Sequence, residues 1–143
     1  MPTSHNLALI VGASLSALAA LLHVGIIVGG ASWYRFFGAG QAMARACEQG
    51  RWYPAIVTVA IAVVLAFCSA YALSGAGVIA ALPWLKPALC AIASIYLLRG
   101  LVLVPVLIMS RTAATPFWFW SSAICLVFGA AHLIGLIQVW DRL

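Results

Sequence analysis

Arg99 is the residue whose type and place in the chain demand a chemical explanation. It stands near the middle of an apolar run, 88–109, about 15 Å by helical rise from the C-terminal end of that run. A guanidinium at such depth in hydrocarbon costs at least about 2.5–3.5 kcal/mol, so it must face protein and find partners. Two kinds of chemistry suit it: holding a carboxylate or phosphate through charge-assisted hydrogen bonds, and stabilising negative charge on a reacting substrate. A structural ion pair, or hydrogen bonds to helix carbonyls that fix packing, is the competing reading.

Counter-charges are scarce, because the chain has two acidic residues against seven Lys and Arg. Asp141 lies at the end of the last apolar run, close in register to Lys86. Glu48 lies in the connection after the first run, from which it can approach a snorkelling arginine, and a Glu48–Arg99 pair is the expectation. Failing that, the natural partner is a ligand carboxylate or a lipid phosphate.

His23 and His132 are the other intramembrane groups with chemistry to offer. By helical rise they lie about 9 Å and 22 Å from the same membrane face, which argues against a shared metal or haem, and no third ligand stands near either. Each is expected to make an interhelical hydrogen bond. Should they face inward, His23, Arg99 and His132 form a staggered polar path, to which Tyr96 and Tyr71 add hydroxyls and Gln138 an amide. The candidate ligand-binding set is therefore Arg99, Tyr96, Glu48, His23 and His132, with no catalytic residue, metal site or cofactor expected. The chain contains no GxSxG, HExxH or P-loop pattern, and Ser16, Ser69, Ser94, Ser121 and Ser122 read as helix-packing serines. Cys47, Cys68, Cys90 and Cys125 form no CxxC pair and read as small hydrophobes.

The elements that must position these residues follow from composition. The 143 residues are 66% hydrophobic and 6% charged, with a mean hydropathy of +1.18, where a soluble domain carries about a quarter charged residues. The basic residues are scattered singly, which excludes a nucleic-acid surface. Four apolar stretches, 7–29, 54–73, 88–109 and 117–139, each reach the ~20 residues needed to cross hydrocarbon, and only helices satisfy their own backbone there. The first of them lacks a basic leader and reads as a retained helix, not a signal peptide. Pro54, Pro87 and Pro116 stand at helix starts, where a missing N–H costs nothing. Gly100 and Pro105 follow Arg99; the proline frees the carbonyl near Leu101 and predicts a kink.

The expected fold is thus an all-α integral membrane protein: a single-domain four-transmembrane-helix bundle with a short interfacial helix, about 39–49, between the first and second spans. Trp33, Tyr34, Trp52, Tyr53, Trp118 and Trp120 mark one interface, Trp84 and Trp140 the other. Arg35, Arg45, Arg51 and Arg111 on the first face outnumber Lys86 and Arg142 on the second. The positive-inside rule then puts the first face in the cytoplasm and both termini outside, with a bacterial inner membrane as the expected location. Stripes of small residues, Gly12/Ser16/Ala20, Gly25/Gly29 and Ala62/Ala66/Ala70, allow close helix packing within one chain or between copies.

Three functions of different class fit. Binding or transport of a small amphipathic or anionic molecule, possible lipids included, ranks first, with Arg99 as anchor. An accessory or scaffold subunit packed in a homo-oligomer or on a membrane-protein partner ranks second. A membrane-embedded enzyme acting on a lipid-like substrate ranks third, so the sequence leans away from an enzyme.

Overall fold

The computed structural model describes residues 5–109 and 115–143, and these are helical throughout apart from connections, with no strand among them. Arg111, counted above among the basic residues of one face, lies outside the described residues. The helices are α1 (Leu7–Phe36), α2 (Gln41–Glu48), α3 (Tyr53–Gly75), α4 (Leu85–Leu101), α5 (Leu103–Met109) and α6 (Pro116–Val139), with a closing 3₁₀ turn at Trp140–Arg142. Four segments are long and apolar enough to cross a membrane: Leu7–Phe36, Tyr53–Gly75, Leu85–Met109 and Pro116–Arg142. Their outward-facing Leu, Ile, Val and Phe side chains are exposed, as residues solvated by lipid must be. The chain is an integral membrane protein.

The third span is interrupted. Val102 separates α4 from α5, three residues before Pro105, because a proline cannot donate to the carbonyl four residues earlier and its ring pushes that turn aside. The regular helix is interrupted at Val102, whose own φ of −56° and ψ of −25° stay helical. The first helix is bent at Gly30, whose φ of 65° and ψ of −153° lie outside helical space. A side chain there would be strained, and glycine removes the penalty.

The described chain forms two compact units, Met1–Leu15 with Cys68–Leu143, and Ser16–Phe67. In the first, the start of α1, the end of α3, α4 and α6 meet around Leu9, Ala13, Ala72, Ala76, Leu89, Leu136 and Val139. Leu9 is fully buried and is the knob of this layer: a methyl group added to Gly135 would come within 2.5 Å of its side chain, and one on Gly75 within 3.0 Å. Asn6 secures the start of α1. Its Oδ1 accepts from the Leu9 N–H at 2.8 Å and its Nδ2 donates to Gln138 at 2.7 Å, satisfying a helix N-terminus that water does not reach freely. Lys86 does the corresponding work for α6, donating to the Trp140 carbonyl at 3.1 Å with its ammonium 4.1 Å from that residue's ring centroid.

The second unit contains the rest of α1, all of α2 and most of α3. Tyr34, Ile26 and Ala44 form its core. Tyr34, expected at one interface, packs its ring inside this unit: it is 2% exposed and its hydroxyl pairs with Thr58 at 3.1 Å. The Gly25/Gly29 step is also differently used. The Trp33 ring folds back onto it, and a Cβ on Gly29 would fall 2.1 Å from that ring. The groove that sequence offers to a neighbouring helix is filled by the same helix's own tryptophan.

Candidate functional site

The antiparallel pairing of α4 with α6 gathers three of the sequence-predicted polar residues, Tyr96, Arg99 and His132. Its seam is reciprocal. Leu97 and Gly100 on α4 face Gly129 and Leu126 on α6, each leucine seated over the other helix's glycine. A Cβ on Gly100 would lie 2.6 Å from the Leu126 side chain and 3.0 Å from its backbone nitrogen; on Gly129 it would lie 2.7 Å and 3.0 Å from the corresponding atoms of Leu97. Two Leu-x-x-Gly steps running in opposite directions thus bring the backbones together as small residues do in membrane interfaces.

This close approach carries Arg99, next to Gly100, across to the first turns of α6. Arg99 Nη2 donates to the Ser121 hydroxyl at 2.8 Å, and the guanidinium stands 5.1 Å from the Trp118 ring centroid. The serine fixes one arm and the aromatic face stabilises the cation. The other terminal nitrogen, Nη1, is buried and has no hydrogen-bond partner among the described residues. Both contacts are with neutral groups. Asp141 lies 20 residues beyond Ser121, about 30 Å along α6. Glu48, the expected partner, is engaged instead by Arg35 in an ion pair within the second unit. The reason is local: the chain turns after α1 so that Arg35, on its last turn, meets the last residue of α2.

Toward the other end of the seam, one turn along α4 from Arg99 and about three turns along α6 from Ser121, Tyr96 and His132 come together. The Tyr96 ring packs edge-on against Phe128, with centroids 5.4 Å apart, and lies 5.2 Å from the His132 ring. Tyr96 also makes a side-chain hydrogen bond with Cys68 of α3. His132 is fully buried, and its ring lies flat against Gly12 of α1, where a Cβ would fall 2.9 Å from the ring. Its Nδ1 lies 2.8 Å from the Phe128 carbonyl and so carries the proton, which leaves Nε2 as a buried acceptor without a partner among the described residues. The expected interhelical hydrogen bond is thus an intrahelical one. His23, in the second unit, behaves likewise, with Nδ1 2.7 Å from the Ala19 carbonyl.

Of the five sequence-predicted residues, then, Arg99, Tyr96 and His132 line the α4–α6 seam, while Glu48 and His23 are engaged locally in the other unit. Tyr71 and Gln138 are committed elsewhere, to the Pro83 carbonyl and to Asn6. Sequence reasoning missed Ser121 and Trp118 as the partners of Arg99. It also missed Ser122, buried with a hydroxyl that has no partner among the described residues. Among the described residues no group of three His, Cys, Asp or Glu can hold a metal. No family model, curated protein or solved structure matches the chain.

Proposed function

We propose that this membrane protein binds a small amphipathic anion within the bilayer, with Arg99 as the charge anchor. A single observation carries the reading: a guanidinium in a membrane-spanning helix has only neutral partners, and its Nη1 is buried with nothing to bond among the described residues. A buried charged donor left unsatisfied is costly, and an oxyanion offers both the counter-charge and the missing acceptor. Carboxylate and phosphodiester share this chemistry. Trp118 and Ser121 hold the guanidinium in one orientation, so the ligand meets a preformed donor. Tyr96 and His132 set the register of α4 against α6, and we assign neither an acid–base role. The anion is retained or passed across the membrane, and uptake of a labelled anion by proteoliposomes separates these two uses. The basic residues Arg35, Arg45 and Arg51 in the first connection favour an orientation with that connection in the cytoplasm and both termini outside, as in a bacterial inner membrane.

The test is binding of palmitate to the full chain in phosphatidylcholine nanodiscs, with phosphatidylglycerol nanodiscs as the phosphodiester arm. Losing a charge-assisted hydrogen bond of about 1.5–3 kcal/mol predicts that Arg99→Gln weakens binding roughly 10- to 150-fold, and that Arg99→Lys restores part of it. Full affinity in Arg99→Gln would refute the proposal and favour a packing role for this arginine in an accessory subunit.

A further inference from the structure

A second feature lies beside the third span, and Arg99 does not line it. A cleft of about 410 Å³ lies between α4, α5 and α6, walled by Gly100, Leu101, Val104, Phe119, Ser122 and Ala123 with a few further apolar neighbours. It carries no ionisable side chain. Its one hydroxyl is that of Ser122, which is 1% exposed and has no hydrogen-bond partner among the described residues, while the exposed Trp120 at the rim adds an indole N–H. A helical serine or threonine ordinarily settles on the carbonyl four residues back, as Ser14 does on Ile10 and Thr58 on Pro54. Ser122 does not. On the facing wall, Pro105 has no N–H to offer the Leu101 carbonyl, so that acceptor has lost its helical donor. An apolar cleft inside a membrane span thus combines a hydroxyl without a partner and a carbonyl without its helical one, and lipid tails can bond neither.

We propose that this cleft binds an uncharged lipid alcohol, whose hydroxyl accepts from Ser122 and donates to the Leu101 carbonyl while its hydrocarbon packs on Val104, Phe119 and Ala123. A hydroxyl both donates and accepts, which matches the two wall groups. An anion is disfavoured because no cation lines the cleft, and a plain alkane leaves both polar groups unbonded. The bilayer itself is the source of such a molecule.

The experiment compares 1-hexadecanol with hexadecane on the full chain in nanodiscs, read by native mass spectrometry. Hexadecanol binds roughly 5- to 10-fold more tightly in the wild type, the gain of about one neutral hydrogen bond. Ser122→Ala removes the preference, and Ala123→Phe, which fills the cleft from an exposed position, abolishes binding of both. Equal binding of the two by the wild type, a preference surviving Ser122→Ala, or binding unaffected by Ala123→Phe each overturns the proposal. Should Ala123→Phe fail to fold, the Ser122→Ala comparison decides alone. Because both ligands are uncharged, failure here is distinguishable from failure of the anion site.

Discussion

Substituting Gly100 or Gly129 by alanine tests the α4–α6 seam, on which the position of Arg99 depends. In an ordinary helix the change is favourable by about 0.8–1.0 kcal/mol, because alanine restricts the unfolded backbone and glycine does not. Here the added methyl lands 2.6 Å from the Leu126 side chain in one case and 2.7 Å from that of Leu97 in the other. A leucine can rotate away from such a clash. The backbone nitrogens at 3.0 Å cannot, so the helices must separate along their whole contact. Overpacking of this kind costs about 1–3 kcal/mol, and since the backbone is the obstacle we expect the upper part of that range, leaving a net loss of about 1–2 kcal/mol. The assay is reversible unfolding in mixed micelles at increasing dodecyl sulfate, followed by circular dichroism. Gly25→Ala is the control, since its methyl would meet Trp33 at an ordinary 3.4 Å. Gly100→Ala or Gly129→Ala as stable as wild type or more so would refute the reciprocal seam.

Further outcomes follow from single contacts. Gly29→Ala forces the Trp33 ring out of its groove, so tryptophan fluorescence becomes more accessible to quenchers, and Gly29→Ala with Trp33→Ala recovers the stability that Gly29→Ala loses relative to Trp33→Ala alone. Glu48→Gln removes an ion pair whose side chains are 41% and 47% exposed; solvent and salt screen such a pair, so stability falls by less than about 1 kcal/mol and the difference vanishes at high salt.

The fold was legible because the bilayer leaves few choices. A run of some 20 apolar residues must be a helix there, and four such runs with Pro54, Pro87 and Pro116 near their starts mark the spans. Pro105 likewise announces the break at Val102, since it removes one specific hydrogen bond. Pairings between elements were less legible. Gly25 and Gly29 declare that something approaches closely, but not that it is Trp33; only the bend at Gly30 brings that ring back. Glu48 is one acid among seven basic residues, and the turn leading into α2 gives it to Arg35. The Leu-x-x-Gly steps at 97–100 and 126–129 are plain once seen together, yet each alone is an ordinary apolar tetrad. Depth arithmetic assigned Arg99 to the third apolar span, while its partners required knowing which helix runs beside it.

The most direct test of the anion site is a distance. Solid-state NMR on the full chain in bilayers, with ¹⁵N-labelled arginine and ¹³C-carboxyl palmitate, reads the contact between guanidinium and carboxylate. The account predicts a recoupled ¹³C–¹⁵N dephasing, as for N···O contacts of about 2.8 Å, that disappears in Arg99→Gln. Absence of the dephasing in the wild type at saturating palmitate, or its persistence in Arg99→Gln, would contradict it.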